Sequence, residues 1–164
     1  MKARIFFTTL ALGTTLNCAH AASLPTFDTC PARVQTKHTM LRLAFTDDHS
    51  RQYRTIIREA AKGPVNFAGH YILATWGCGA GCIMGATIDA TTGRVISLPF
   101  TISDWPLNAT DPLSYRVDSC LLIAQGSRNE ANAHGTYYYT FDGKAFILRA
   151  SELMPAYSSS APLK

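Results

Sequence analysis

The chain has no apolar run of the roughly 20 residues that a membrane-spanning helix needs. Its N-terminal run, Ile5 to Leu16, is diluted by threonines, and no stable membrane span is expected. Charge of one sign is scarce too: 15 Lys+Arg face 11 Asp+Glu, without the concentrated basic patch that nucleic-acid binding shows. Paired carboxylates at a spacing suited to acid–base catalysis are missing. Asp47, Asp48, Asp104 and Asp111 fall mostly where capping and turns account for them. No linker divides the sequence, and a 47% hydrophobic composition predicts one domain with a real core.

What is present starts at the N-terminus. Met1, Lys2, Ala3 and Arg4 precede the apolar run and Ala19-His20-Ala21 follows it, the basic, apolar, small-residue order of a secretory signal peptide. Cleavage is expected after Ala21, or alternatively after Ala22, and Cys18 leaves with the signal. Lipid attachment at Cys18 is the competing reading, but Thr15-Leu16-Asn17 puts a bulky Leu and an Asn where small residues belong. Removing residues 1 to 21 takes away Lys2 and Arg4 and no acid, which leaves 13 basic against 11 acidic residues, a net charge of +2 over 143 residues. The expected location is periplasmic or secreted.

Four cysteines then remain, Cys30, Cys78, Cys82 and Cys120. An even number in an oxidising compartment reads as two disulfides with three possible connectivities. An extended strand would hold the Cα atoms of Cys78 and Cys82 about 13 Å apart, beyond the ~7 Å limit of a bridge. Pairing them requires a turn, which Gly77, Gly79 and Gly81 make available because glycine enters positive φ freely. The preferred connectivity is Cys78 with Cys82 and Cys30 with Cys120.

Residues 46 to 62 predict one helix. Tyr53, Ile56, Ile57, Ala60 and Ala61 form a core-facing stripe, Thr46 caps its start, and Lys62, Gly63 and Pro64 stop it. Beyond it the period changes to two. Strands are expected at about 67 to 76, at Ile83 to Asp89 and at Arg94 to Leu98, the last two joined by a loop whose Gly93 suits a bulged hairpin. Residues 99 to 114 hold three prolines and read as a surface loop. Tyr115 to Gln125 resumes strand character, with Leu121, Leu122 and Ile123 suggesting a central position, and 126 to 130 reads as a loop. Asp142-Gly143, within residues 136 to 148, sits between two strand-like runs as a hairpin turn. The fold class expected is α+β: a single domain at 22–154, mostly antiparallel β-sheet with one N-terminal amphipathic helix, disulfide-stabilised, followed by a mobile tail at 155–164.

Chemistry is weighed against packing at each candidate. Cys78, Cys82 and Met84 with His70 or His134 would make a soft donor set suited to copper, reminiscent of copper chaperones. Those carry the motif between a strand and a helix, whereas a β pattern resumes here at Ile83, so an oxidised structural bridge with a packed Met84 is preferred. Thiol-disulfide exchange meets the same objection, since no helix follows Cys78 to lower a thiol pKa. A Cys-His hydrolase with His134 as base would need a free thiol, against the even cysteine count. His70 reads first as a partly buried strand histidine, while His38 and His49 carry no pattern. In the run Tyr137-Tyr138-Tyr139 the middle residue faces opposite to its neighbours, so at least one tyrosine is expected to reach the surface. With Arg128 in a nearby loop it offers a binding anchor. His70, Tyr71, Trp76, Tyr138 and Arg128 are the candidate binding set; no catalytic residue, cofactor or metal is assigned.

Asn66-Phe67-Ala68-Gly69-His70-Tyr71, followed by Trp76-Gly77-Cys78-Gly79 and Cys82, resembles the motif of a family of small exported bacterial proteins of uncharacterised function. The likeness continues through GATIDATTGRV, LLIAQG and YYYTFDGK, and covers roughly residues 48 to 148. The resemblance implies a bacterial envelope protein with a β-rich core and brings no activity with it. The function expected is a non-catalytic envelope binding protein, of the inhibitor, immunity or assembly-factor type, with another envelope protein as partner. The alternative is a thiol-redox or copper-handling protein that uses Cys78 and Cys82.

Overall fold

The computed structural model describes residues 23–35 and 42–154. The expected signal segment with Cys18, His38 and residues 155–164 lie outside the described residues. After a 3-10 turn at Phe27–Thr29 the elements are β1 (Ala44–Phe45), α1 (Asp48–Gln52), α2 (Arg54–Ala60), β2 (Tyr71–Gly79), β3 (Cys82–Asp89), β4 (Arg94–Ser97), β5 (Ile102–Ser103), β6 (Leu113–Tyr115), β7 (Leu121–Arg128), β8 (His134–Phe141) and β9 (Phe146–Leu153). The architecture is mostly β-sheet with these two short helices and two cysteine pairs at disulfide distance, Cys30 with Cys120 and Cys78 with Cys82.

The helical stretch differs from the expected single helix. It breaks at Tyr53, whose φ of −97° and ψ of 19° leave the α region while its ring packs 5.3 Å from that of Trp76. Asp47, not Thr46, is the N-cap, accepting from Ser50 N at 2.6 Å. Thr46 instead donates to Val95 O at 2.7 Å, tying the helix start to β4. Of the expected stripe Ile57 is fully buried and Tyr53, Ala60 and Ala61 pack partly buried against the same cluster, whereas Ile56 is 43% exposed.

One nine-stranded sheet carries the fold, in the order β1-β4-β3-β5-β7-β8-β9, with β2 added beside β3 and β6 beside β7. All pairings are antiparallel except β1 with β4. β5 bridges the halves, pairing Ile83 to Ile102 on one side and Ile102 to Arg128 on the other. Alternation along β2 supplies two cores. Tyr71 and Leu73 face a cluster shared with Ile96, Leu98, Phe100, Leu122, Tyr137, Tyr139 and Phe141; Ile72, Ala74 and Trp76 face a second with Met84, Ala86, Ile88, Val95 and Ile57 of α2. The sheet thus curls so that β2–β4 pack on β7–β8, and α2 covers the outside of β2–β4.

Several expected boundaries move. β2 starts at Tyr71 rather than 67, since Phe67 N and O both bond to Tyr71 and close a turn over 67–71. Residues 99–114 are not simply a surface loop: β5 and the start of β6 lie within them, and Phe100, Ile102 and Leu113 are buried. The 115–125 strand divides into β6 and β7 around Arg116–Cys120, and β7 continues through Arg128. The expected 126–130 loop shifts to 129–133, where Asn129 and Glu130 take positive φ. Gly126 stays in the strand, paired with Gly135, and β5 presses on it so closely that a Cβ there would lie 2.5 Å from Ser103 O.

Candidate binding surface

The motif residues from Asn66 to Cys82 explain themselves largely as construction. Asn66 clamps the backbone of Leu73, accepting from its N at 2.7 Å and donating to its O at 3.1 Å. Phe67 is fully buried and its ring meets those of Tyr115, Phe141 and Phe146 at centroid separations of 5.7 to 6.2 Å. Gly69 sits at φ +85°, where a Cβ would come 2.4 Å from Arg33 O, so no larger residue lets the N-terminal segment dock there. Cys78 bulges out of the β2–β3 register between Gly77 and Gly79, and Gly79 opposes Cys82 across a two-residue turn.

The candidate binding residues separate accordingly. Tyr71 and Trp76 are buried and cannot anchor a partner, because each fills one of the two cores. Arg128 is turned to structure as well: its Nη1 donates to Tyr139 Oη at 2.8 Å and its guanidinium lies 4.9 Å over the Tyr137 ring. It lies in β7, not in a loop, which aims it at β8. His70 is partly exposed, its Nε2 3.7 Å from Asp89 Oδ1 and its ring 4.3 Å from that of Tyr71. Asp89 Oδ1 is already occupied by Thr91 N, Thr91 Oγ1 and Thr92 N at 2.8, 2.6 and 3.1 Å. Burial raises the Asp89 pKa, but these hydrogen bonds outweigh it and hold the carboxyl below its ordinary value.

The soft donor set is not assembled. Cys78 and Cys82 sit at the tip of the β2–β3 hairpin, whereas His70 precedes the other end of β2, roughly 26 Å away at ~3.3 Å per residue. Met84 is buried in the helix-side core, and His134 Nδ1 lies 3.3 Å from Asp104 O.

A constellation that sequence reading passed over lies at the start of α1. An open cleft of about 410 Å³ is lined by Asp47, His49, Ser97, Phe100, Thr101 and Asn129, among others. Ser97 Oγ donates to Asp47 at 3.0 Å and lies 3.4 Å from His49 Nδ1. A hydrolytic triad needs the histidine to take the serine proton and the aspartate to orient the histidine. Here the aspartate takes the serine hydrogen directly. Burial raises the Asp47 pKa, yet bonds from Ser50, Ser97 and Thr46 outweigh it and leave the carboxyl below its ordinary 3.8, a poor base. The arrangement anchors α1 to β4. No spacing rule in sequence links residues 47, 49 and 97, so only the β1–β4 pairing could have revealed it.

The sign of both aspartate shifts sets the acid response. A carboxyl held below its unfolded pKa contributes stability in full above about pH 4 and loses it as pH falls through the folded value. Asp47→Ala is expected to cost about 1 kcal/mol at neutral pH, as for lost N-caps. Its deficit should shrink steadily in melts taken below about pH 4; a deficit independent of pH would contradict the assignment.

The remaining surface is the C-terminal half of the sheet. Tyr137 and Tyr139 point into the core, while Tyr138 points away and donates to Glu152 Oε2 at 2.7 Å. Ile123, Thr136 and Thr140 share that outer face at half-burial, and the helices lie on the other half of the sheet. β9, the last strand in the order, leaves Ile147 37%, Leu148 41%, Leu153 60% and Met154 46% exposed at or just beyond the sheet edge. No helix among the described residues is long and apolar enough to cross a membrane. Comparison with protein-family models, with curated proteins and with solved structures finds no match for this chain.

Proposed function

We propose that the protein is an exported, non-catalytic binding protein of the bacterial envelope, of the inhibitor, immunity or assembly-factor type, and that its binding surface is the outer face of β7–β9 around Tyr138. In this reading it is a single α+β domain, 22–154, with an N-terminal amphipathic helical segment. It is released into the periplasm or medium by cleavage after Ala21 or Ala22 and belongs with the small exported bacterial proteins whose motif it resembles. The observation that carries the reading is the contrast between the two halves of the sheet. The outside of β2–β4 is covered by α2, whereas β7–β9 present Tyr138, Ile147 and their neighbours to the surroundings. Aromatic and apolar side chains on a preformed sheet suit a macromolecular partner, since they bury area at little cost in conformational entropy.

A photoactivatable cross-linker placed at Tyr138 or Thr136 in the full chain, expressed in a bacterial envelope, is expected to capture one discrete partner other than a second copy of this chain. The same group at Arg51, on the exposed side of α1, should capture none. Equal capture from both positions, or none from either, would overturn the proposal.

A further inference from the structure

We infer that the open edge of β9 is an interface with a second copy of this chain, joined antiparallel across a two-fold axis so that the two sheets become continuous. Among the described residues β9 pairs β8 along one side only and is the last strand of the sheet. The outer edge of its eight residues therefore offers N–H and C=O groups to another strand, a pairing that natural edges otherwise block. The sequence of β9 is complementary to itself in one register. β9 carries a bulge: Leu148 faces Tyr139 and Ala150 faces Tyr138, so Arg149 is the extra residue. Past the bulge the alternation is offset by one. Leu148 and Leu153 consequently share a face, opposite Tyr139 and Gly135, although an even strand would send them to opposite sides.

With Ser151 opposite the partner's Ser151, the Arg149–Ala150 doublet spans the single residue Glu152 of the partner subunit, as a bulge requires. Leu148 then meets the partner's Leu153, and Ile147 meets the partner's Met154. All four pairs agree in side; the Ser151 pair lies on the axis, and each of the other three occurs twice. Arg149 donates to Thr140 Oγ1 at 2.8 Å and Glu152 accepts from Tyr138, so both charges are already held on the outer face where they would meet. A bulge and a charge on an edge ordinarily deter strand addition; here they favour the register that pairs Arg149 with Glu152. This inference concerns the edge of β9, whereas the partner-binding reading centres on Tyr138, one strand further in; Ile147 and Glu152 border both.

The test is the mass of the purified, processed protein by sedimentation equilibrium over a dilution series. A reversible dimer is expected. Arg149→Glu alone and Glu152→Arg alone should each weaken it about tenfold or more, because two attractive cross-strand pairs become repulsive. The double variant R149E/E152R should restore it, which a merely misfolded protein would not do. A monomer at every concentration overturns the inference, and so does a dimer indifferent to the single exchanges or a double variant that stays monomeric.

Discussion

Phe67→Ala is expected to cost about 3–5 kcal/mol, the range for truncating a fully buried aromatic. Three properties put it at the upper end. Phe67 has no exposed surface. Its ring is gripped by three aromatic rings from β6, β8 and β9, so the cavity cannot close without moving three strands. Its position is also fixed by two backbone hydrogen bonds with Tyr71 that the substitution leaves in place, so the backbone cannot readily shift to fill the cavity. Phe67→Leu should recover more than half of the loss, because it keeps most of the volume. Urea denaturation with an unchanged m-value measures both. Equal losses for Ala and Leu would mean that the site is not packed as described.

The second large effect separates the two disulfides. Replacing Cys30 and Cys120 by serine removes a link across 90 residues of sequence and should lower stability by about 4–5 kcal/mol in the chain-entropy account. The short link between Cys78 and Cys82, four apart, should be worth about 2 kcal/mol. The native context sharpens the contrast. Cys30 O accepts from Cys120 N at 2.8 Å, Ala32 N donates to Asp118 O at 2.8 Å, and Ser119 Oγ bonds to the carbonyls of Phe27 and Cys30. Losing the long bridge should release this N-terminal strap, visible as fast amide exchange at Ala32 and Cys120. Losing the short one should leave exchange outside the 77–82 hairpin tip unchanged. Thermal melts of the two serine pairs decide the order, and a costlier short bridge would contradict it.

The elements that could be read from sequence are those with local causes. Asp142-Gly143 marked a hairpin and the chain turns there, with Asp142 accepting from Lys144 N and Ala145 N. The period-two stretches after residue 70 became β2, β3 and β4, antiparallel in succession, because alternation reports burial on a pleated surface. The Gly-Cys segment needed a bend, and its glycines permit one. The errors lie where a distant element imposes the conformation. β5 and β6 are two and three residues long, too short for periodicity, and are strands only because β3 and β7 hold them. Tyr53 breaks a helix whose local pattern runs on, because its ring is drawn onto Trp76.

The same division holds for the candidate site. By itself the sequence determined the helix stop, the hairpins, the alternating faces of Tyr137, Tyr138 and Tyr139, and the need for a turn between Cys78 and Cys82, all consequences of dihedral preference and period. Only the tertiary structure decided that Tyr71 and Trp76 are core, that Arg128 serves Tyr139, that Asp47 and Ser97 meet, and that β9 is the last strand among the described residues. Each of these depends on which strand lies beside which, and strand order is settled by contacts between residues far apart in the chain, which no local pattern encodes.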